Sequence, residues 1–112
     1  MSQVTTHILN TATGKPAAGV ALRLEQKAGA DWQILGQGIT NADGRVADLL
    51  AKDTIPEPGE YRMIFETAPY FEAQNIATFY PLVEIRFYIR DAAHYHIPLL
   101  LSPFGYTTYR GS

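Results

Sequence analysis

Between Val83 and Arg90 the residues alternate without a break, Val83, Ile85, Phe87 and Ile89 against Glu84, Arg86, Tyr88 and Arg90. A period of two puts one set on each side of an extended chain. Such a stretch can bury a face only as a β-strand in a sheet with one packed side and one wet side. The same period recurs along the chain. Val20, Leu22 and Leu24 alternate with Ala21, Arg23 and Glu25, which predicts a half-buried strand with a wet face; Tyr61, Met63 and Phe65 alternate with Arg62, Ile64 and Glu66. Near the C-terminus, Tyr95, Ile97, Leu99 and Leu101 supply a buried face while His94 and His96 share the opposite one.

Turn signals separate these runs. Residues 4–9 are rich in β-branched side chains and read as the first strand, and the following stretch from Asn10 to Pro16 reads as a loop. Lys27 to Asp31 turns the chain into a strand over residues 32–40, where Gly36 and Gly38 mark a bend or a close backbone approach. In Asn41-Ala42-Asp43-Gly44 the Asn and Asp can bond their own backbone and the Gly accepts positive φ, so a turn is predicted, and Arg45 leaves it first. Alternation stops after Thr67. Pro69 followed by Tyr70-Phe71-Glu72-Ala73-Gln74 suits a short helix with a proline in its first turn, the one helix expected. Seven or eight short strands with turns at roughly 8–12-residue spacing point to an all-β sandwich. At 112 residues and 46% hydrophobic content the chain can bury one core without staples, so residues 1–112 are expected to form a single domain.

The totals exclude several classes of function. With 11 acidic against 9 basic residues, the formal charge of -2 supplies no overall basic field for nucleic acid or an anionic membrane. The absence of cysteine removes disulfides, thiolate metal sites and cysteine nucleophiles together. No run approaches the about 18 apolar residues of a membrane span, and the first residues lack the basic head and apolar core of a secretory signal. A cytoplasmic protein is expected. Gly36-Gln37-Gly38 lacks the third glycine and the following helix of a dinucleotide fingerprint, and there is no P-loop, nucleophile elbow or histidine-glutamate zinc helix.

What remains is histidine and arginine. A lone histidine on a strand is ordinarily structural, and Arg45 alone is ordinarily a solvated turn residue. His7 and His96 both sit mid-strand at opposite ends of the chain, so if those strands are neighbours the two imidazoles meet on one face. Two histidines and an arginine fit zinc poorly, because a catalytic zinc usually takes three protein ligands; His94 is the residue that could supply a third. Histidine titrates near neutrality and can take a proton from water, while a guanidinium can hold a planar anion or stabilise an oxyanion. Together they suit hydrolysis of an amide-like bond without metal or covalent intermediate.

Three blocks carry a family resemblance: His7-Ile8-Leu9-Asn10 through Gly14-Lys15-Pro16-Ala17, then Thr40-Asn41-Ala42-Asp43-Gly44-Arg45, then His94-Tyr95-His96-Ile97-Pro98-Leu99-Leu100-Leu101-Ser102-Pro103 with the terminal Tyr109-Arg110-Gly111-Ser112. In these the chain resembles the 5-hydroxyisourate hydrolases, transthyretin-related enzymes of urate breakdown, over essentially its whole length. The resemblance implies a transthyretin-like (prealbumin-like) β-sandwich of two four-stranded sheets with one short helix. It implies a homotetramer, a dimer of dimers, with sites in a channel between the dimers. It places the first strand beside the last two. Carried over by matching position, His7, Arg45 and His96 are the expected catalytic residues, with Tyr109 and Ser112 shaping the substrate pocket and no metal or other cofactor. Which histidine is the base stays open, and His94 is expected to be supporting or exposed. Asn10 departs from the aspartate common in the family, which bears on loop geometry more than on chemistry. A non-catalytic transthyretin-like carrier of a small ligand is the alternative, distinguished by an apolar rather than a histidine-lined channel.

Overall fold

In the computed structural model, which describes residues 2–112, the alternation becomes two packed sheets. The elements in chain order are β1 (Val4–Asn10), β2 (Lys15–Pro16), β3 (Ala21–Ala28), β4 (Asp31–Ile39), β5 (Gly59–Glu66), α1 (Thr67–Glu72), β6 (Val83–Ile89), β7 (Tyr95–Ser102) and β8 (Gly105–Thr108). One sheet has the order β2-β1-β7-β8 and the other β4-β3-β5-β6. The two four-stranded sheets and short helix therefore form as expected. β1 and β7 pair in parallel, while the remaining ladders are antiparallel.

Period two decides what each sheet buries. Along β1, Val4, Thr6, Ile8 and Asn10 turn inward while Thr5, His7 and Leu9 turn outward. The inward sets of both sheets merge into one core, with Ile8 and Leu99 from the first sheet meeting Leu24, Met63 and Phe65 from the second. Each of these side chains is fully buried, a gain of about 1.5–3 kcal/mol apiece over exposure. Buried polar groups on the inward face are paired: Thr6 Oγ1 donates to the Ile97 carbonyl at 2.6 Å, and Asn10 Nδ2 donates to the Tyr70 hydroxyl at 3.0 Å.

The structure corrects three local expectations. The stretch expected to be loop up to Pro16 contains the edge strand β2: Gly14, at φ +74°, closes a turn with its N–H on the Asn10 carbonyl, and Lys15 and Pro16 return alongside Asn10 and Leu9. An edge position tolerates a proline because no partner needs its missing N–H. Glu25, expected on a wet face, is only 5% exposed, because Arg23 donates to it at 2.7 Å and Arg62 at 2.6 Å. Burial works to raise its pKa, but the two guanidinium groups outweigh this and the net direction is down. α1 begins before Pro69 and ends at Glu72, with Pro69 in its first turn, where the missing N–H has no partner to lose.

The close approach expected at Gly36 and Gly38 is present. A side chain at 36 would collide with the Leu49 carbonyl, and one at 38 would stand 2.6 Å from Val46 Cγ1. The 46–50 segment thus lies directly on β4, and Leu49 and Leu50 are buried in the core. Among the described residues no helix is long and apolar enough to cross a membrane.

Candidate active site

The outward face of the β1–β7 pair collects titratable groups from three distant parts of the chain. The parallel register sets Thr5 opposite His96 and His7 opposite Pro98, so His7 and His96 are diagonal neighbours on one face. Arg45 reaches the same place by a different route. Its turn is built as the sequence predicts: the Gly44 N–H donates to the Asn41 carbonyl at 2.9 Å, and Asn41 Oδ1 accepts from Asp43 N at 2.9 Å and Arg45 N at 3.2 Å. The turn then docks on the edge of β1, where Ile8 N donates to the Gly44 carbonyl at 2.9 Å and Arg45 bridges to His7 in antiparallel fashion. Gly44 is required twice over, by its φ of +75° and because a Cβ there would stand 2.5 Å from the Ile8 carbonyl oxygen.

The C-terminus closes the other side. Beyond β8 the chain returns to β7, and Gly111 N donates to the His96 carbonyl at 2.9 Å. A Cβ on Gly111 would lie 2.5 Å from His96 Cδ2. The tail therefore rests against the imidazole, and only a glycine fits there. Arg110 holds it down, with its guanidinium 4.3 Å above the Tyr95 ring, while the Tyr95 hydroxyl donates to Asp91 at 2.9 Å. The bond from the Ala93 N–H, then the one from Tyr95 and the nearby Arg110 charge, hold the Asp91 carboxyl below the usual range.

His96 is partly buried, and burial pushes its pKa below the ordinary value near 6.5. The charges of Arg45, His94 and His7 push the same way, against an opposing hydrogen bond with the Thr5 backbone. At neutral pH the imidazole is thus held neutral and able to accept a proton, beside a guanidinium able to hold an oxyanion. His96 also lines a cleft of about 320 Å³ with Phe87, Tyr88 and Arg90 on or beside β6 and Tyr109 and Arg110 in the tail.

His7, Arg45 and His96 are therefore brought together. Tyr109, 58% exposed, shares the cleft with His96, and Ser112 is exposed and follows directly on the glycine bonded to His96. Among the described residues no group of three His, Cys, Asp or Glu is arranged for a metal ion. His94, considered above as a third ligand, is exposed and directs Nε2 to the Thr5 hydroxyl at 2.9 Å. Thr5 is the site residue that sequence reasoning missed. Its Oγ1 also lies 2.8 Å from His96 Nδ1. The available signal was its place two positions before His7, on the same face.

Fold and site together define a two-sheet sandwich that carries imidazole and guanidinium groups on the outer face of one sheet. The family model described as the HIUase/Transthyretin family matches residues 4–111. The chain belongs to that family. It is 49% identical over 107 residues to a protein of Salmonella typhimurium named 5-hydroxyisourate hydrolase, covering 95% of this chain and 78% of that one. Among solved structures, the 5-hydroxyisourate hydrolase of Klebsiella pneumoniae superposes with a TM-score of 0.84 at 36% identity, covering 97% of this chain and 98% of that chain. Sea bream transthyretin in complex with thyroxine superposes with a TM-score of 0.91 at 34% identity, covering 98% and 95% respectively.

Proposed function

We propose that this chain is a 5-hydroxyisourate hydrolase acting in urate breakdown, with His7, Arg45 and His96 as its catalytic residues. The observation that supports this best is the convergence of residues 7, 45 and 96 on one sheet face, in a chain whose relatives carry that enzyme name. The reaction adds water to the ring carbonyl of the cyclic amide. The water oxygen bonds to the carbonyl carbon, the carbon–nitrogen bond breaks, and the departing nitrogen takes a proton, giving 2-oxo-4-hydroxy-4-carboxy-5-ureidoimidazoline. His96 is the base in this reading, because its lowered pKa keeps it neutral at the working pH. His7 orients the water, and Arg45 holds the carbonyl oxygen and anionic edge of the substrate as charge develops. In this reading Tyr109, which lines the cleft beside His96, and Ser112, next to Gly111, shape the substrate pocket.

A homotetramer completes this reading. β6 and β8 are each one edge of their sheet, and Tyr88, Tyr106 and Tyr109 are exposed on or just beyond them. Edges of this kind invite pairing with a second copy, and a dimer of dimers would roof the open histidine face. The alternative, a small-ligand carrier, draws on the likeness to transthyretin.

The test is to add the protein to freshly generated 5-hydroxyisourate and follow both its absorbance and the ring-opened product. Accelerated decay with matching product supports the hydrolase. Saturable binding of the substrate with no acceleration over buffer overturns it in favour of the carrier.

A further inference from the structure

Thr5 Oγ1 stands between two imidazole nitrogens, 2.8 Å from His96 Nδ1 and 2.9 Å from His94 Nε2. The two rings lie nearly parallel, at 20° with centroids 6.3 Å apart. A hydroxyl has one proton to give and lone pairs to accept with, so it can donate to only one of these nitrogens and must accept from the other. The two rings are thereby locked out of phase. If His94 Nε2 carries a proton, Thr5 donates to a bare His96 Nδ1, and the proton of neutral His96 sits on Nε2. If His94 Nε2 is bare, Thr5 donates to it, His96 Nδ1–H donates to Thr5, and His96 Nε2 presents a lone pair.

We infer that Thr5 and His94 are positioning residues that hold His96 in its Nδ1–H tautomer, so that Nε2 is the atom that takes the proton from water. The kinetic half of this inference rests on the hydrolase reading above; the tautomer half does not. In the arrangement assigned, the His96 Nδ1–H bond to Thr5 is unchanged when Nε2 gains a proton. The ring needs no rearrangement between its neutral and cationic forms, which is the form of preorganisation that lowers a barrier.

The surroundings of His96 are consistent with this economy of protons. The groups facing it are His7 and Thr5 on β1, Arg45 on the docked turn, His94 just before its own strand, the backbone of Gly111, and Tyr109 and Arg110 of the tail across the cleft. Arg45 is a fixed cation, which disfavours a second proton on His96. Thr5 is the partner that can set which nitrogen carries the single proton.

The experiment joins nitrogen-15 NMR of the histidine side chains at neutral pH to steady-state kinetics, on wild type, Thr5→Val, Thr5→Ser and His94→Phe. Wild type is expected to show His96 protonated at Nδ1. Thr5→Val should move the proton to Nε2, lower kcat about a hundredfold and leave KM within about twofold, since a wrong tautomer removes proton transfer and not binding. Thr5→Ser should restore both the tautomer and most of kcat. His94→Phe, a change at an exposed position, keeps the ring stack but frees the Thr5 proton for His96 Nδ1, so it should shift the tautomer towards Nε2–H and lower kcat about tenfold. It carries the test if Thr5→Val does not fold. A wild-type His96 protonated at Nε2, or a tautomer that neither variant changes, overturns the inference whether or not the protein hydrolyses 5-hydroxyisourate. Absence of turnover in wild type with the Nδ1–H tautomer present would instead count against the hydrolase reading alone.

Discussion

Replacing Gly111 with alanine adds a single carbon at the most confined point of the site. That carbon would lie 2.5 Å from His96 Cδ2, 3.2 Å from Cγ and 3.3 Å from Pro98 Cγ. Ordinary contact needs about 3.5 Å, so ring and tail must separate by about 1 Å. Two responses are open, and both reach the chemistry. If the imidazole yields, its Nδ1 leaves the 2.8 Å contact with Thr5. If the tail yields, the Gly111 N–H bond to the His96 carbonyl is lost and Tyr109 moves with it. A displacement of about 1 Å at a catalytic group costs about a hundredfold in rate, whereas losing one exposed hydrogen bond costs about 1 kcal/mol of stability. In a domain of this size that lowers Tm by about 4 °C. Gly111→Ala is therefore expected to separate activity from folding. Decay of 5-hydroxyisourate followed by absorbance gives kcat and KM, and thermal unfolding followed by circular dichroism gives Tm. A variant with wild-type kcat/KM would refute the claim that the tail positions His96, whatever its Tm.

Other perturbations address the remaining parts of the site. Gly44→Ala must adopt φ +75° with its Cβ against the Ile8 carbonyl, and is expected to cost about 2 kcal/mol and to lower Tm by about 8 °C; an unchanged melting curve would contradict the docked turn. The pKa of His96 is lowered, so its neutral form persists below the pH at which an ordinary imidazole protonates. Activity should hold through neutrality and fall only as pH drops through that lowered value, and an acid limb centred at or above about pH 6.5 would contradict the assignment of His96 as base. Deleting residues 109–112 removes both the Gly111 bond to His96 and the Arg110 contact with Tyr95. It is expected to lower kcat/KM about a hundredfold and to shift the size-exclusion profile towards smaller species, and full activity in the truncated chain would contradict a role for the tail.

The strands were legible where one face is buried and the other is not. In β6 and β7 the alternation marks both the element and the direction each side chain faces, including the outward face of His96. Pairing was legible only through the family resemblance, because nothing in residues 4–10 encodes a parallel partner almost a whole chain away. Edge strands such as β2 escape notice for a similar reason: Lys15 and Pro16 carry turn composition and become a strand only because Asn10 and Leu9 lie beside them. Glu25 shows the limit of polarity as a guide to exposure, since its burial depends on Arg62 from another strand. The candidate catalytic groups were visible because histidine and arginine announce their chemistry. Thr5 was not, because a threonine in a β-strand is first of all a residue that favours strands, and its hydroxyl acquires a role only once the register places it beside His96.

The most direct test of the hydrolytic site compares wild type with His96→Ala and Arg45→Ala on freshly generated 5-hydroxyisourate, each variant checked for an unchanged circular dichroism spectrum. Both side chains lie on the outward face and outside the core, so the fold should survive their removal. Wild type is expected to accelerate the decay, and each variant to lose about a hundredfold or more of kcat/KM. Folded variants that turn over substrate at the wild-type rate would contradict the site.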